Sequence, residues 1–166
     1  MNASLLERFP ATWKRVVTDP HGFLADMPEA GGLQEPLAFL AVCAGLNALG
    51  HALRGVGPGG MLLLFVWQVV AAVVLAAVLV LVAQNLFDGH AGFDPTFRVV
   101  AYASAPLVVL WLPGVGALAL LYGAYIVLRG LERVQRLDTT RAVLTLAIGV
   151  AVLGVLRAVR VGARWP

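Results

Sequence analysis

The run MLLLFVWQVVAAVVLAAVLVLVA, Met61 to Ala83, holds one strongly polar residue, Gln68, and no charge. Few destinations suit such a stretch: a helix of about 20 apolar residues rises roughly 30 Å, the thickness of a bilayer's hydrocarbon core. Four more apolar stretches accompany it, Pro36 to Leu53, Pro95 to Leu112, Val115 to Leu131 and Ala142 to Val161. At 60% hydrophobic and 13% charged residues, with mean hydropathy +0.87, the chain is too apolar for a soluble domain of its size. The pattern predicts an all-α, polytopic transmembrane helix bundle with five spans, at about 36–53, 61–83, 95–112, 115–131 and 142–161.

Residues 1–35 form a different segment, an arm in which charged and apolar residues interleave and no signal-peptide core occurs. Trp13, Val16 and Val17 recur at helical spacing beside Lys14 and Arg15, which suits a short amphipathic helix lying in the headgroup layer; the alternative is a solvated polar arm. Asp19 before Pro20 reads as an N-cap with proline at N1, opening a second short helix that Pro28 and Gly31-Gly32 end. By the same logic Asp94 before Pro95 caps the third span, and Thr139 or Thr140 caps the fifth.

Five crossings place the arm, the 84–98 loop and the 129–141 loop on one side, with eight Lys and Arg residues against four opposite. The positive-inside rule therefore predicts a cytoplasmic N-terminus, and all nine acidic residues fall on that same side. Arg157, Arg160 and Arg164 argue mildly the other way, because only about 15 apolar residues separate Arg141 from Arg157. A fifth helix that stays on the cytoplasmic side is the alternative. The pI near 9.6 comes from arginines at the ends of apolar runs, with no nucleic-acid motif among them. The single cysteine, Cys43, excludes an intrachain disulfide and a cysteine-based zinc site.

Three stretches, DPHGFLADMPEAGGLQEPLAFL, then FRVVAYASAPLVVLWLPGVG, then GLERVQRLDTTRAVL, occur in this order between membrane spans. Together they resemble the Yip1-domain family of small five-span integral membrane proteins, in its prokaryotic form, over about residues 15–155. The most specific part is the tyrosine, alanine and proline of AYASAP followed by the proline and glycine of LPGVG. The resemblance implies a cytoplasmic N-terminus, five helices and placement in the cell (inner or plasma) membrane. Eukaryotic members of the family act in vesicle traffic and associate with Rab-type GTPases. Their long cytoplasmic N-terminal region is shortened here to about 35 residues, so that partner is not carried over.

The third span is the most interrupted. Pro106 removes one helix hydrogen bond and clashes with the Tyr102 carbonyl, which predicts a kink; Ser104 or a tyrosine hydroxyl is then expected to satisfy the freed carbonyl. Ala101, Ala103, Ser104 and Ala105 are small enough for a close-packed seam. The functional alternative is a cavity opened by the kink, lined by Tyr102, Tyr122 and Tyr125, with Asn85 and Asp88 near its mouth. Pro113, Gly114 and Gly116 turn the chain toward the fourth span.

Within the spans, Asn47 and His51 lie one turn apart and Gln68 sits alone; interhelical hydrogen bonding is the plain reading, a proton or solute path through His51 the sharper one. Arg129, Arg133, Arg136 and Arg141 at helix ends are expected to anchor to anionic lipid headgroups. His90, near Asp88 and Asp94, lacks a second histidine at ligand spacing and reads as a loop residue. Ser104 with His51 or His90 makes no hydrolase, since neither a glycine-flanked serine motif nor an oxyanion donor accompanies it. GVGPGG lacks the lysine of a phosphate-cradling loop. No cofactor, metal or nucleic-acid partner is therefore expected. Two readings remain: a non-enzymatic protein that organises membranes through lipid, another membrane protein or a second copy, and a small channel, transporter or lipid-handling protein using the third-span cavity.

Overall fold

The computed structural model describes residues 3–28 and 31–162. Helix α1, Ala3–Thr18, turns Phe9, Trp13, Val16 and Val17 to one side, and Val16 is completely buried. Asp19 then accepts the Gly22 N–H at 2.9 Å and caps α2, Pro20–Asp26, with Pro20 at the first helical position. Arg15 pairs with Asp26 across the two short helices. The apolar face of this arm packs inward, where Phe9 meets Phe39 with ring centroids 5.1 Å apart and Phe23 meets Tyr102 at 4.8 Å. The apolar face of the arm is thus turned to the bundle.

Helices α3, Gln34–Ala52, and α4, Pro58–Phe87, correspond to the first two apolar stretches. The latter begins with Pro58 behind Gly57 and ends where Asp88 turns left-handed, φ 55°, and Gly89 N–H closes on the Ala83 carbonyl at 2.8 Å. Beyond an intervening loop come α5, Phe93–Tyr102, and a 3-10 helix, Ala105–Val109. Helix α6 spans Val115–Val134 and α7 spans Thr139–Gly162. Arg164 of the tail lies outside the described residues.

The third apolar stretch departs from the expected single kinked helix. Its α-helical part stops at Tyr102, and Pro106 explains why, having no N–H for the Tyr102 carbonyl. Ser104 adds to the break by donating its hydroxyl to the Ala101 carbonyl at 2.6 Å, so the carbonyl it serves is not the expected one. From there the chain tightens to i→i+3 bonding, with Leu110 N–H on Leu107 O and Leu112 N–H on Val109 O. Helix starts are corrected too. Gly92 precedes α5 while Asp94 points to Arg98, and the cap of α7 is Asp138, whose carboxylate accepts the Arg141 N–H at 2.7 Å.

Among the described residues three helices are long and apolar enough to cross a membrane: Pro58–Phe87, Val115–Val134 and Thr139–Ala158. Neither α3 nor the α5 and 3-10 pair is of that kind. Large apolar side chains crowd the outer faces of the three, Leu62, Leu81, Leu118, Leu121 and Val155 each being at least 60% exposed. An apolar belt of that size on the outside of a helical protein is matched to hydrocarbon, not water.

The core lies where α5 and the 3-10 helix run between α3, α4 and α6, and every residue from Thr96 to Pro106 is buried. Small residues set the approach. A Cβ on Gly130 of α6 would sit 2.1 Å from Val99 Cγ1, one on Gly123 3.1 Å from the Ala103 carbonyl, and one on Gly50 of α3 2.1 Å from the Trp111 ring.

Candidate functional site

Four polar clusters punctuate the apolar frame. Arg98 on α5 is 2% exposed, and its Nε donates to Asp94 Oδ1 at 3.0 Å, one turn earlier. Its Nη2 donates to the Gly32 carbonyl at 2.6 Å, and Gly31, at φ 142°, leaves no room for a side chain beside that nitrogen. A buried guanidinium is tolerated only when paired and hydrogen-bonded. Arg98 therefore ties the linker before α3 to α5.

Gln135, fully buried at the end of α6, uses both ends of its amide. Its Oε1 accepts the Ala91 N–H at 3.0 Å, while Nε2 donates to the Ala91 carbonyl and to Thr96 Oγ1. Gln84 adds a further donor to that same carbonyl at 3.1 Å. The 88–92 loop is thereby fastened to the end of α6 without a backbone ladder.

The third cluster holds the arm. Trp13 Nε1 donates to the Ala105 carbonyl at 2.9 Å, where the helix has broken, and the Tyr122 hydroxyl donates to the Val17 carbonyl at 2.8 Å. His21 Nε2 lies 2.7 Å from the Tyr125 hydroxyl. Tyr122 and Tyr125 stack on each other at 6.0 Å, and the Arg129 guanidinium stands over the Tyr125 ring, 5.5 Å from its centroid. Between α2 and α6 these residues leave a cleft of about 470 Å³ lined by His21, Leu24, Ala25, Arg129, Glu132 and Arg133.

Deeper in the bundle, Asn47 Nδ2 donates to Gln68 Oε1 at 2.9 Å and joins α3 to α4. His51 Nδ1 donates to the Asn47 carbonyl at 3.0 Å, so this ring nitrogen carries the proton in the neutral side chain. Among the described residues Asn47 Oδ1 and Gln68 Nε2 are buried without partners.

The tyrosines and Asn85 singled out for a third-span cavity each have other partners among the described residues. Tyr102 packs between Phe23 and Phe39, Tyr122 and Tyr125 hold the arm, Asn85 bonds the Leu81 carbonyl of its own helix at 2.7 Å, and Asp88 is exposed at the end of α4. The small residues around Ser104 and Pro106 form a packing seam against Gly123. Pro113, Gly114 and Gly116 make the turn before α6, with Gly114 at φ 78° and Gly116 set against the Leu110 carbonyl. Of the four arginines, Arg129 and Arg133 face the cleft. Arg136 is exposed in a left-handed conformation, φ 55°, and Arg141 pairs with Asp138 at 3.5 Å.

Sequence reasoning missed Arg98, Gln135, Trp13's hydrogen bond and His21. The first left a signal, a carboxylate four residues before an arginine inside an apolar helix; the others act across 39 or more positions of chain and left none. Among the described residues no group of three or more His, Cys, Asp or Glu side chains is placed to hold a metal ion.

No curated protein and no solved structure matches this chain. The model of the Yip1 domain matches residues 14–159, which takes in part of α1 and all of the frame from α2 to the described length of α7 short of its end. With the broken third segment, its glycine turn and the apolar outer belt all inside that match, the chain belongs to the Yip1-domain family of membrane proteins.

Proposed function

We propose that this protein is a non-enzymatic organiser of the cell membrane, acting through lipid or another membrane protein at the end of the bundle where its N-terminal arm is docked. The observation that carries the reading is the docking itself. Trp13, Val17 and His21 are held by the 3-10 helix and α6, which leaves Arg8, Lys14 and Arg15 exposed on the arm's other side. A rigidly presented surface on which Arg8 and Lys14 stand beside Glu7 and the Arg15–Asp26 pair, next to the end of a membrane-spanning helix, suits lipid headgroups or a charged partner.

Five passes with a cytoplasmic N-terminus remain the preferred topology. Supporting it, α5 begins beside Gln135 while the 3-10 helix leads to Trp111, whose carbonyl accepts a bond from Arg54 at 3.1 Å in the turn after α3. The third segment thus runs between the two ends of the bundle although it is not one helix. At about 1.5 Å per α-helical and 2.0 Å per 3-10 residue it covers roughly 25 Å before its final turns. The channel or transporter reading has no comparable support, since Tyr102 lies in an aromatic cluster.

The test is deletion of residues 1–18, followed by crosslinking of the intact and shortened proteins in their own membrane. The expected result is a folded bundle that has lost its crosslinked partners or its lipid selectivity. An interaction profile identical to that of the full chain overturns the reading.

A further inference from the structure

We propose that the cleft between α2 and α6 is a binding site for one anionic phosphodiester lipid headgroup, with Arg133 and Arg129 as its donors. This deepens the membrane-organising reading and rests on it. Three observations converge on the cleft. The first is unmet hydrogen-bonding capacity: the donors Arg133 Nη1 and Arg129 Nε, and beside them the single acceptor Glu132 Oε1, are buried and have no partner among the described residues. An unpaired buried guanidinium N–H loses its water and gains nothing in return, and a phosphate oxygen is the acceptor whose geometry suits arginine best.

The second is charge. Glu132 Oε2 accepts from Arg129 Nη1 at 2.9 Å, so one of the two arginine charges is already matched. What remains of the Arg129, Glu132 and Arg133 charges is a single net positive one, and a phosphodiester carries a single negative one. The Glu132 bond and the stacking over Tyr125 also hold Arg129 in place before any ligand arrives, which lowers the entropy lost on binding.

Position is the third. Arg129 and Arg133 stand in the final two turns of α6, where an apolar helix of membrane length ends and the headgroup layer begins. Leu24 and Ala25 of α2 supply an apolar wall for the glycerol backbone. A volume of about 470 Å³ accommodates one headgroup.

The test uses the full chain purified in a neutral detergent and native mass spectrometry, with phosphatidylglycerol, phosphatidylcholine, glycerol 3-phosphate and inorganic phosphate titrated in turn. The expected result is one retained phosphatidylglycerol, with phosphatidylcholine bound at least about tenfold more weakly. Arg133→Gln should weaken phosphatidylglycerol binding by about tenfold or more, whereas Arg141→Gln, a charge removed from outside the cleft, should leave it within about twofold. Ala25→Phe fills the cleft with both arginines retained and should also abolish retention, which guards against misreading a folding defect in the arginine variant. Equal losses in R133Q and R141Q would mean diffuse attraction to basic residues and overturn the site. Displacement of the lipid by glycerol 3-phosphate or inorganic phosphate at similar concentration would assign the cleft to a free phosphate and overturn the lipid source. If R133Q loses lipid selectivity but the arm-dependent crosslinks persist, the site stands on its own; if the crosslinks never depended on the arm, the broader reading falls separately.

Discussion

Helix α4 and the segment formed by α5 and the 3-10 helix invert the usual relation between apolarity and burial. The most hydropathic window of α4 averages 2.8, yet only 17% of it is buried inside the protein. The third segment contains an arginine, a threonine and a serine, and its residues 96–106 are all buried. In water the more apolar element would have been the core. In a bilayer apolar surface gains little by leaving the lipid, so the interior is selected for small size, close approach and polar groups that find partners.

Three perturbations test that inversion, beginning with the largest effect. Arg98→Ala leaves Asp94 without its partner, the Gly32 carbonyl without its donor and a void in the core. The expected loss is about 3–5 kcal/mol of stability, read as thermal unfolding in detergent, with Arg98→Lys recovering only part of it. A wild-type transition in R98A would mean that the buried guanidinium is incidental to the fold. Gly130→Ala follows, at about 1–3 kcal/mol, since its new methyl would occupy the space of Val99 Cγ1. Here the sharper measurement is the double variant: adding Val99→Ala should recover much of the loss, and strict additivity would deny that the two helices meet at that point. The smallest effect belongs to Leu81→Ala on α4, at 60% exposure, where a change within about 0.5 kcal/mol is expected in detergent. A loss rivalling that of R98A would show the outer face of α4 to be a protein interface instead of a lipid-facing surface.

Much of the frame is legible in order of residues. Asp19 and Pro20 open α2, and the glycine turn at Gly114 precedes α6, because each signal acts through its own neighbours. The third stretch was legible as a break at Pro106 but not as a change of helix type. That change needed the Ser104 hydroxyl on Ala101 and a neighbouring element close enough to stabilise a tight segment. The capping of α7 by Asp138 in place of Thr139 is a local competition that the carboxylate wins through its charge at a helix N-terminus.

The candidate site divides along the same line. Arg129 and Arg133 are visible as cations at the end of an apolar run. Their separation from Arg136 and Arg141 is not, because it depends on where α2 lies and on the left-handed turn at Arg136. A tyrosine-lined cavity was a reasonable expectation from three aromatic hydroxyls, yet two of them are taken by the arm from more than 100 residues away.

By itself the sequence determined the solvent, the helical class and where the chain breaks between helices, since apolar run length, proline, glycine and capping residues act over one or two turns of chain. Only the tertiary structure decided which helix is inside and which cations face a cleft. It also decided that the arm turns its apolar side to the bundle, with Trp13 on Ala105 and Tyr122 on Val17. Those outcomes are contacts between distant segments, each worth making only because the groups left unpaired at membrane depth would have no water to turn to.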